Sequence, residues 1–175
     1  MKDILDTLID TIVSILIIGM IGYALLCVGA YKLTAASAPS LTKEQEIVAK
    51  TILGEARGEG KEGMYAVACV IAQRSIAWKL TPKQVCLADS QFDYWTQHKS
   101  STIDDLNRRR VEALMKHDIE KVLYAKNLAI HILKVDRSYT GNADHYCKIG
   151  LDNYWTKNKK PVRIIKNHKF FKLRP

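Results

Sequence analysis

The chain has 175 residues, a formal net charge of +9 and a hydrophobic content of 47%. This length suits one domain and is short for two, and the composition is that of a folded globule, which excludes a disordered polar chain. Nine Gly and four Pro exclude a collagen-like or low-complexity protein, and four Cys are too few for a disulfide scaffold.

Charge is distributed unevenly along the chain. Residues 1–40 carry five charges that sum to −1, so residues 41–175 carry +10. From Thr11 to Tyr31 no residue is charged, and a helix of this length can cross a hydrocarbon core of roughly 30 Å. We therefore expect a single transmembrane helix or signal-anchor within residues 1–31. A cleavable secretory signal is the alternative, because small residues at 35–38 offer a cleavage site.

The segments that follow predict a linker and then helices. Residues 32–41 are small and contain Pro, which indicates a short linker to a domain spanning 42–175. The residues Thr42 to Gln45 match a capping box, so a helix is expected to run from there to about Arg57. A second helix is expected from Met64 to about Trp78, and its many small residues are typical of a helix buried against others.

The rest of the domain is predicted from similar local signals. Thr81 as a cap and Pro82 in the first turn predict a short helix that ends near Ala88. The remaining predicted elements are helices from Asp104 to about Lys116 and from Asp118 to about Val135, loops at Gly60–Gly63 and Tyr139–Asp152, and a strand or hairpin at Val162–Leu173. Together they indicate an α+β fold that is mainly α.

Glu55 is a candidate functional residue because of its place on the first predicted helix. At about 100° per residue, Glu55 lies roughly 20° from Val48, within the apolar stripe that also holds Ile52. Burial disfavours the charged form of a carboxyl and raises its pKa, and a carboxyl that stays protonated near neutral pH can act as a general acid. The structural alternative is a Glu55 that faces solvent or pairs with Arg57.

The stretch Thr51–Ser75, with the sequence TILGEARGEGKEGMYAVACVIAQRS, resembles the SleB-type cell-wall hydrolase family. That family carries a GEARGE signature and then a small-residue helix that ends in an Asn-Arg or similar pair, here Gln73-Arg74. Its later positions are matched, in order, by Pro82, Val85-Cys86, Gln91-Phe92, Asp144-His145-Tyr146-Cys147, Trp155 and Asn167-His168-Lys169-Phe170-Phe171. The order and spacing agree over about residues 47–172.

The resemblance implies a lysozyme-like fold that cleaves the glycan strand of peptidoglycan at MurNAc–GlcNAc linkages. Family members are typically lytic transglycosylases, and the first Glu of the signature, here Glu55, is their acid/base. One carboxyl protonates the glycosidic oxygen and then takes the proton of the 6-hydroxyl, which gives a 1,6-anhydro product. The residues assigned to substrate binding are Glu59, Gln91, Phe92, His145, Tyr146, Trp155 and His168.

Several assignments stay open at this stage. Glu59 and Asp93 are possible helpers of the acid, and a loop salt bridge is the alternative for Glu59. Tyr94 and Trp95 form either a sugar platform or part of the core. Cys147 stands where the family has a His, and a thiol is a weak donor that cannot take a positive charge near pH 6.

No HExxH or CxxC sequence is present, so we expect no metal and no cofactor. The segment 151–175 has one acid against eight Lys/Arg, a pattern also found in nucleic-acid-binding proteins. A membrane-anchored chain seldom meets DNA, so we expect an anionic cell envelope and no nucleic acid as the partner of this segment.

Three functions therefore compete: a membrane-anchored peptidoglycan-cleaving enzyme, a non-catalytic peptidoglycan-binding envelope module, and a basic nucleic-acid-binding membrane protein. The first is preferred, and its small size is also typical of a phage lysis or entry enzyme. Lys32, Lys43 and Lys50 weakly favour a cytoplasmic domain. Because the substrate lies outside, we expect the domain on the periplasmic or extracytoplasmic side, or at the envelope that a phage attacks. The oligomeric state is left open.

Overall fold

The computed structural model describes residues 40–95, 102–117, 119–151 and 153–174. The predicted transmembrane segment Thr11–Tyr31 lies outside these residues. Among the described helices, none has the length and apolar character needed to span a bilayer.

The described residues form a mainly helical α+β fold, which fits a lysozyme-like domain. The helices are α1 (Lys43–Ala56), α2 (Gly60–Trp78), α3 (Pro82–Leu87), α4 (Thr102–Met115) and α5 (Glu120–Ile130), and the strands are β1 (His145–Lys148), β2 (Arg163–Ile165) and β3 (His168–Phe171). Short 3-10 helices lie at Ile132–Lys134, Arg137–Thr140 and Tyr154–Thr156.

Two helices begin where their capping residues predict. The Thr42 hydroxyl accepts a hydrogen bond from the Gln45 N–H at 3.2 Å, and the Gln45 side chain accepts one from the Thr42 N–H at 2.9 Å. Thr81 and Gln84 repeat this reciprocal arrangement at the start of α3. Each box satisfies two backbone donors that would otherwise lack partners at a helix end.

Helix α1 is the centre of the helical core, because it contacts α2, α3, α4 and α5. Its residues Ala49, Ile52 and Leu53 are fully buried. Helix α2 is buried along most of its length, as its small residues predict, and it also contacts the sheet. Burial of these two helices fixes the direction of the last turn of α1, which carries Glu55.

Two predicted loops are wrong in part. Residues Gly60–Gly63 are the first turn of α2, since Glu59 rather than a later residue is its N-cap. The region Tyr139–Asp152 contains strand β1, which the sequence analysis missed. A four-residue strand has little local signal and forms here by pairing with β3.

The predicted hairpin near the end of the chain is confirmed. Strand β3 is the centre of an antiparallel sheet of order β1-β3-β2, with Tyr146 opposite Phe170 and Arg163 also opposite Phe170. A small cluster of Ala66, Val70, Ala143 and Phe170 joins this sheet to α2. The sheet is thereby placed so that Tyr146 of β1 reaches the end of α1.

Candidate active site

A cleft of about 820 Å³ opens between two walls of the domain. The helical wall includes Gly54, Glu55, Leu106, Asn107 and Arg110 from α1 and α4. The strand wall includes β1, the loop after it, and His168 of β3, while the turn at 90–93 closes one side. A concave site of this size with a few converging polar groups is typical of a substrate-binding cleft.

Glu55 lies in this cleft with both carboxyl oxygens held by donors. The Tyr94 backbone N–H donates to Oε1 at 3.0 Å, and the Tyr146 hydroxyl donates to Oε2 at 3.0 Å. Burial raises the pKa of Glu55 to about 7, the hydrogen bond from Tyr94 opposes this rise, and the charge of Asp93 adds to it. The predicted direction of the shift is thus confirmed, and a carboxyl of this pKa is suited to general acid–base chemistry.

The alternative in which Glu55 pairs with Arg57 is not what the structure has. Arg57 Nη1 instead donates to the backbone carbonyls of Leu53 and Gly54 and to Asn107 Oδ1. Arg57 therefore closes the end of α1 by holding its last carbonyl groups, a common role for a cation at a helix C-terminus.

Gly54 allows the turn that carries Tyr94 to approach α1 closely. A Cβ at Gly54 would lie 2.5 Å from Cδ2 and 2.6 Å from Cγ of the Tyr94 ring, closer than side chains pack. Trp95 fixes the same turn by donating from Nε1 to Thr51 Oγ1 at 2.7 Å. Tyr94 and Trp95 pack against the helical core and do not line the cleft, so packing is the role the structure gives them.

Arg74 is a cleft residue that the sequence analysis did not single out. It is 3% exposed, lines the cleft, and packs its guanidinium over the rings of Trp78 and Phe92 at 5.2 and 5.1 Å. Its Nε donates to the Asp144 carbonyl at 2.6 Å, which anchors the start of β1 on α2. Its positive charge also favours the carboxylate form of Glu55. The sequence feature that could have identified Arg74 is its place next to Gln73 at the end of the buried helix.

His145, Trp155 and His168, which the sequence analysis assigned to substrate binding, line the strand wall of the cleft. The ring of His145 lies 5.3 Å from that of Trp155, and His145 Nδ1 is 3.1 Å from Asp144 Oδ1, although the contact is not aligned as a hydrogen bond. Burial lowers the pKa of both histidines, so neutral imidazoles face the cleft near neutral pH. Such groups can donate or accept a hydrogen bond to a sugar hydroxyl.

The other predicted site residues divide between the cleft and its support. Gln91 lines the cleft, and its side chain donates to the Asp89 carbonyl at 3.2 Å. Phe92 is 2% exposed beneath Arg74 and belongs to the core. Glu59 does not line the cleft. Its carboxylate accepts hydrogen bonds from the backbone and side chain of Asn167 at the β2–β3 turn. This contact gives Glu59 a place in holding the hairpin.

Two further residues shape the strand wall. Cys147 is 5% exposed and lines the cleft. Tyr154, which the sequence analysis missed, lines the cleft and is 93% exposed, so its ring is open to a ligand. Within the described ranges, no three His, Cys, Asp or Glu side chains are grouped as metal ligands would be.

Comparison with known families gives the class of the protein. A family model described as Cell Wall Hydrolase matches residues 58–171, which is well over half of the chain. The chain belongs to this cell wall hydrolase family. The match contains Arg74, His145, Tyr146 and His168 and begins three residues after Glu55. No curated protein and no solved structure matches the chain.

Membership of this family establishes the coarse function. The protein is a cell wall hydrolase whose substrate is peptidoglycan, and the resemblance noted in the sequence is confirmed at the level of the family. The cleft of this cell wall hydrolase holds Glu55, a carboxyl whose pKa of about 7 suits general acid–base chemistry.

Proposed function

We propose that this cell wall hydrolase is a lytic transglycosylase that cuts MurNAc–GlcNAc linkages with Glu55 as its single acid/base. The environment of the Glu55 carboxyl carries the proposal. It lies in the cleft, two donors hold its oxygens, and its pKa is about 7. Near neutral pH such a group is divided between its acid and base forms, so it can both give and take a proton.

In the first step, protonated Glu55 donates its proton to the glycosidic oxygen. The bond between that oxygen and C1 of the MurNAc residue breaks, and the downstream strand leaves with a new hydroxyl. Positive charge develops at C1, and the Glu55 carboxylate formed in this step stabilises it. The Tyr146 O–H and the Tyr94 N–H stabilise that carboxylate, because both donate to it.

In the second step, the Glu55 carboxylate accepts the proton of the 6-hydroxyl on the same MurNAc residue. The O6 atom bonds to C1 and closes a 1,6-anhydro ring, and Glu55 returns to its acid form. No water is consumed, so the product is lighter than a hydrolysis product by one water. One carboxyl suffices for both steps, whereas hydrolysis by the two-carboxylate route needs a second one.

Sugar contacts fit the strand wall. His145, Tyr146, Trp155 and His168 lie along it, and Gln91 lies on the closing turn. Aromatic faces and neutral imidazoles suit a pyranose, because they bind its apolar face and its hydroxyls without requiring a charge. We assign substrate binding to these five residues.

Membrane attachment and location form the remaining part of the proposal. The uncharged stretch Thr11–Tyr31 anchors the chain, and the hydrolase domain faces the extracytoplasmic side, where peptidoglycan lies. A role in phage lysis or entry stays a prediction of the sequence analysis.

The test is mass spectrometry of the soluble fragments that the full-length chain, in detergent, releases from purified peptidoglycan. Glu55→Gln and Asp93→Asn are compared with wild type, and Glu44→Gln is the control because Glu44 is an exposed acid outside the cleft. We expect anhydro fragments from wild type, Asp93→Asn and Glu44→Gln. Glu55→Gln should lose at least about 100-fold in rate, the usual contribution of a general acid.

Each other outcome points to a different function. Reducing-end fragments that also require Asp93 would establish a two-carboxylate hydrolase and contradict the transglycosylase. Full activity of Glu55→Gln would contradict Glu55 as the acid. A folded wild type that binds peptidoglycan and releases no fragment would instead identify a binding module.

A further inference from the structure

Two arginines on the helical wall of the cleft form no ion pair with a described residue. Arg57 follows the last turn of α1, and Arg110 lies on α4. Among the described residues, no carboxylate forms an ion pair with either guanidinium. Burial, and after it the positive charge of Arg110, lowers the pKa of Arg57, so the two cations are close enough to repel each other.

Several cations elsewhere in the described part of the chain are paired. Lys50 lies 2.7 Å from Glu46, Lys61 lies 2.6 Å from Glu120, and Arg109 lies 2.8 Å from Asp105. Two like charges that lie close together and form no ion pair repel each other, and a bound anion between them would relieve this repulsion. On α4, Arg109 is paired with Asp105, whereas its neighbour Arg110 forms no ion pair with a described residue.

The two guanidinium groups are also arranged to bind a carboxylate. Arg57 Nη1 donates to the carbonyls of Leu53 and Gly54 and to Asn107, and these contacts order the side chain before a ligand binds. The other guanidinium N–H groups of Arg57 have no hydrogen-bond partner among the described residues. Arg110 is exposed, so a ligand can reach it. A guanidinium matches the planar, two-oxygen geometry of a carboxylate.

We propose that Arg57 and Arg110 form a carboxylate-binding subsite for the peptide stems that the glycan strand carries. The inference rests on the proposed function, because it assumes that a glycan strand lies in this cleft. Stem peptides bear free carboxylates, and Arg57 lies two residues after Glu55 at the end of α1, so the subsite is next to the sugar that the proposed function places beside Glu55. The subsite makes the enzyme prefer strands with charged stems over strands with neutral ones.

The test compares two substrates that differ in charge alone. Soluble glycan strands with intact stems are compared with the same strands after chemical conversion of the stem carboxylates to amides. The full-length chain is assayed as wild type, Arg110→Gln, Arg57→Gln and Arg109→Gln. Arg109 is the matched control, since it neighbours Arg110 on the same helix, is paired with Asp105 and does not line the cleft.

We expect wild type and Arg109→Gln to have a kcat/KM about tenfold higher on strands with charged stems, mainly through KM, as the loss of one charge-assisted contact predicts. Arg110→Gln should act on both substrates at the lower rate, and Arg110→Lys should recover part of the preference. Arg57→Gln should also lose the preference, and its overall rate should fall as well because Arg57 holds the end of α1. A wild type without preference, or an Arg110→Gln that keeps it, would overturn the subsite.

A binding measurement separates failure of the subsite from failure of the proposed function. Wild type that cuts neither substrate would contradict the transglycosylase. Glu55→Gln is then tested for binding to both kinds of strand, with and without Arg110→Gln. A preference for charged stems that disappears with Arg110→Gln supports the subsite without any turnover, and equal binding to both strands overturns it.

Discussion

The two walls of the cleft are built differently. The helical wall carries Glu55 on a helix whose neighbouring residues Ile52 and Leu53 are fully buried. The strand wall ends in the exposed side chains of Leu151 and Tyr154, and it contacts Glu55 through the hydrogen bond from Tyr146. The position of the acid is therefore set by helix packing, while its pKa is set by burial, by Tyr94 and Asp93 of the closing turn, and by Tyr146 of the strand wall.

The walls also differ in charge. Glu55, Arg57 and Arg110 lie on the helical wall, whereas the strand wall presents the neutral rings of His145 and Trp155 together with Lys148 at the end of β1. We interpret the helical wall as the place of proton transfer and charge recognition and the strand wall as the place of sugar binding. Changes in the helical wall should then have the larger effects.

The largest effect is expected from Gly54→Ala, which breaks the helical wall. The new Cβ would clash with the Tyr94 ring and displace the turn that donates to Glu55. We expect a loss of about 1–3 kcal/mol in unfolding free energy. Fragment release should fall by about 100-fold, because a small displacement of a catalytic group is costly.

Thermal unfolding and rates of fragment release check the Gly54 prediction. Gly58→Ala is the matched control, since no atom lies within 4 Å of the added Cβ and its φ is not positive. If Gly54→Ala and Gly58→Ala behave alike, close approach at Gly54 does not place the acid.

Glu55→Gln should stabilise the folded protein at high pH. The pKa of Glu55 is raised from 4.5 to about 7 in the folded state, so the cost of burying its charge is absent below pH 4.5 and complete above about pH 7. Because Glu55→Gln removes this cost, the substitution should raise the unfolding free energy at pH 8 by up to about 3 kcal/mol and leave the unfolding free energy unchanged at pH 4. Denaturant unfolding at the two pH values, with exposed Glu44→Gln as control, measures this difference. An equal effect at both would argue against a shifted pKa.

Asp93→Asn should move the pH–rate profile to lower pH. The charge of Asp93 raises the pKa of Glu55, so its removal lowers that pKa. Activity that needs protonated Glu55 should then be lost at a pH lower by on the order of half a unit. Asp89→Asn is the control, because Asp89 is exposed and does not line the cleft. A profile that stays in place would mean that Asp93 does not act on Glu55.

Tyr146→Phe should cause a smaller shift in the opposite direction. The lost hydroxyl donates to the carboxylate, so its removal raises the pKa of Glu55 and extends activity to higher pH. Tyr154→Phe provides the comparison on the same wall, because the Tyr154 side chain is almost fully exposed. A shift to lower pH in Tyr146→Phe would contradict the assigned contact.

The sequence is a good guide wherever the cause of a structure is local. Thr42 and Thr81 begin their helices because each cap acts within three residues. The apolar stripe around Val48 also predicts that Glu55 is turned toward the protein, and its pKa rises for the physical reason that this burial supplies.

Features that depend on residues far away in the chain cannot be predicted from the local sequence pattern. Strand β1 exists through pairing with β3, whose residues lie 20 or more positions further along the chain. Arg57 and Arg110 look like ordinary solvated charges until α1 and α4 place them in one cleft. Motif membership likewise does not separate Gln91, which lines the cleft, from Phe92 beneath Arg74.

The most direct test of the central claim is a titration of the Glu55 side-chain carboxyl by carbon-13 NMR in the full-length chain. The signal is assigned by its absence in Glu55→Gln. A midpoint near pH 7 is the result that this structure predicts, because burial and Asp93 hold the proton on Glu55 against the donors Tyr94 and Tyr146. A midpoint near 4.5, the ordinary value for a Glu, would contradict the account, since Glu55 would then have no proton to donate at neutral pH.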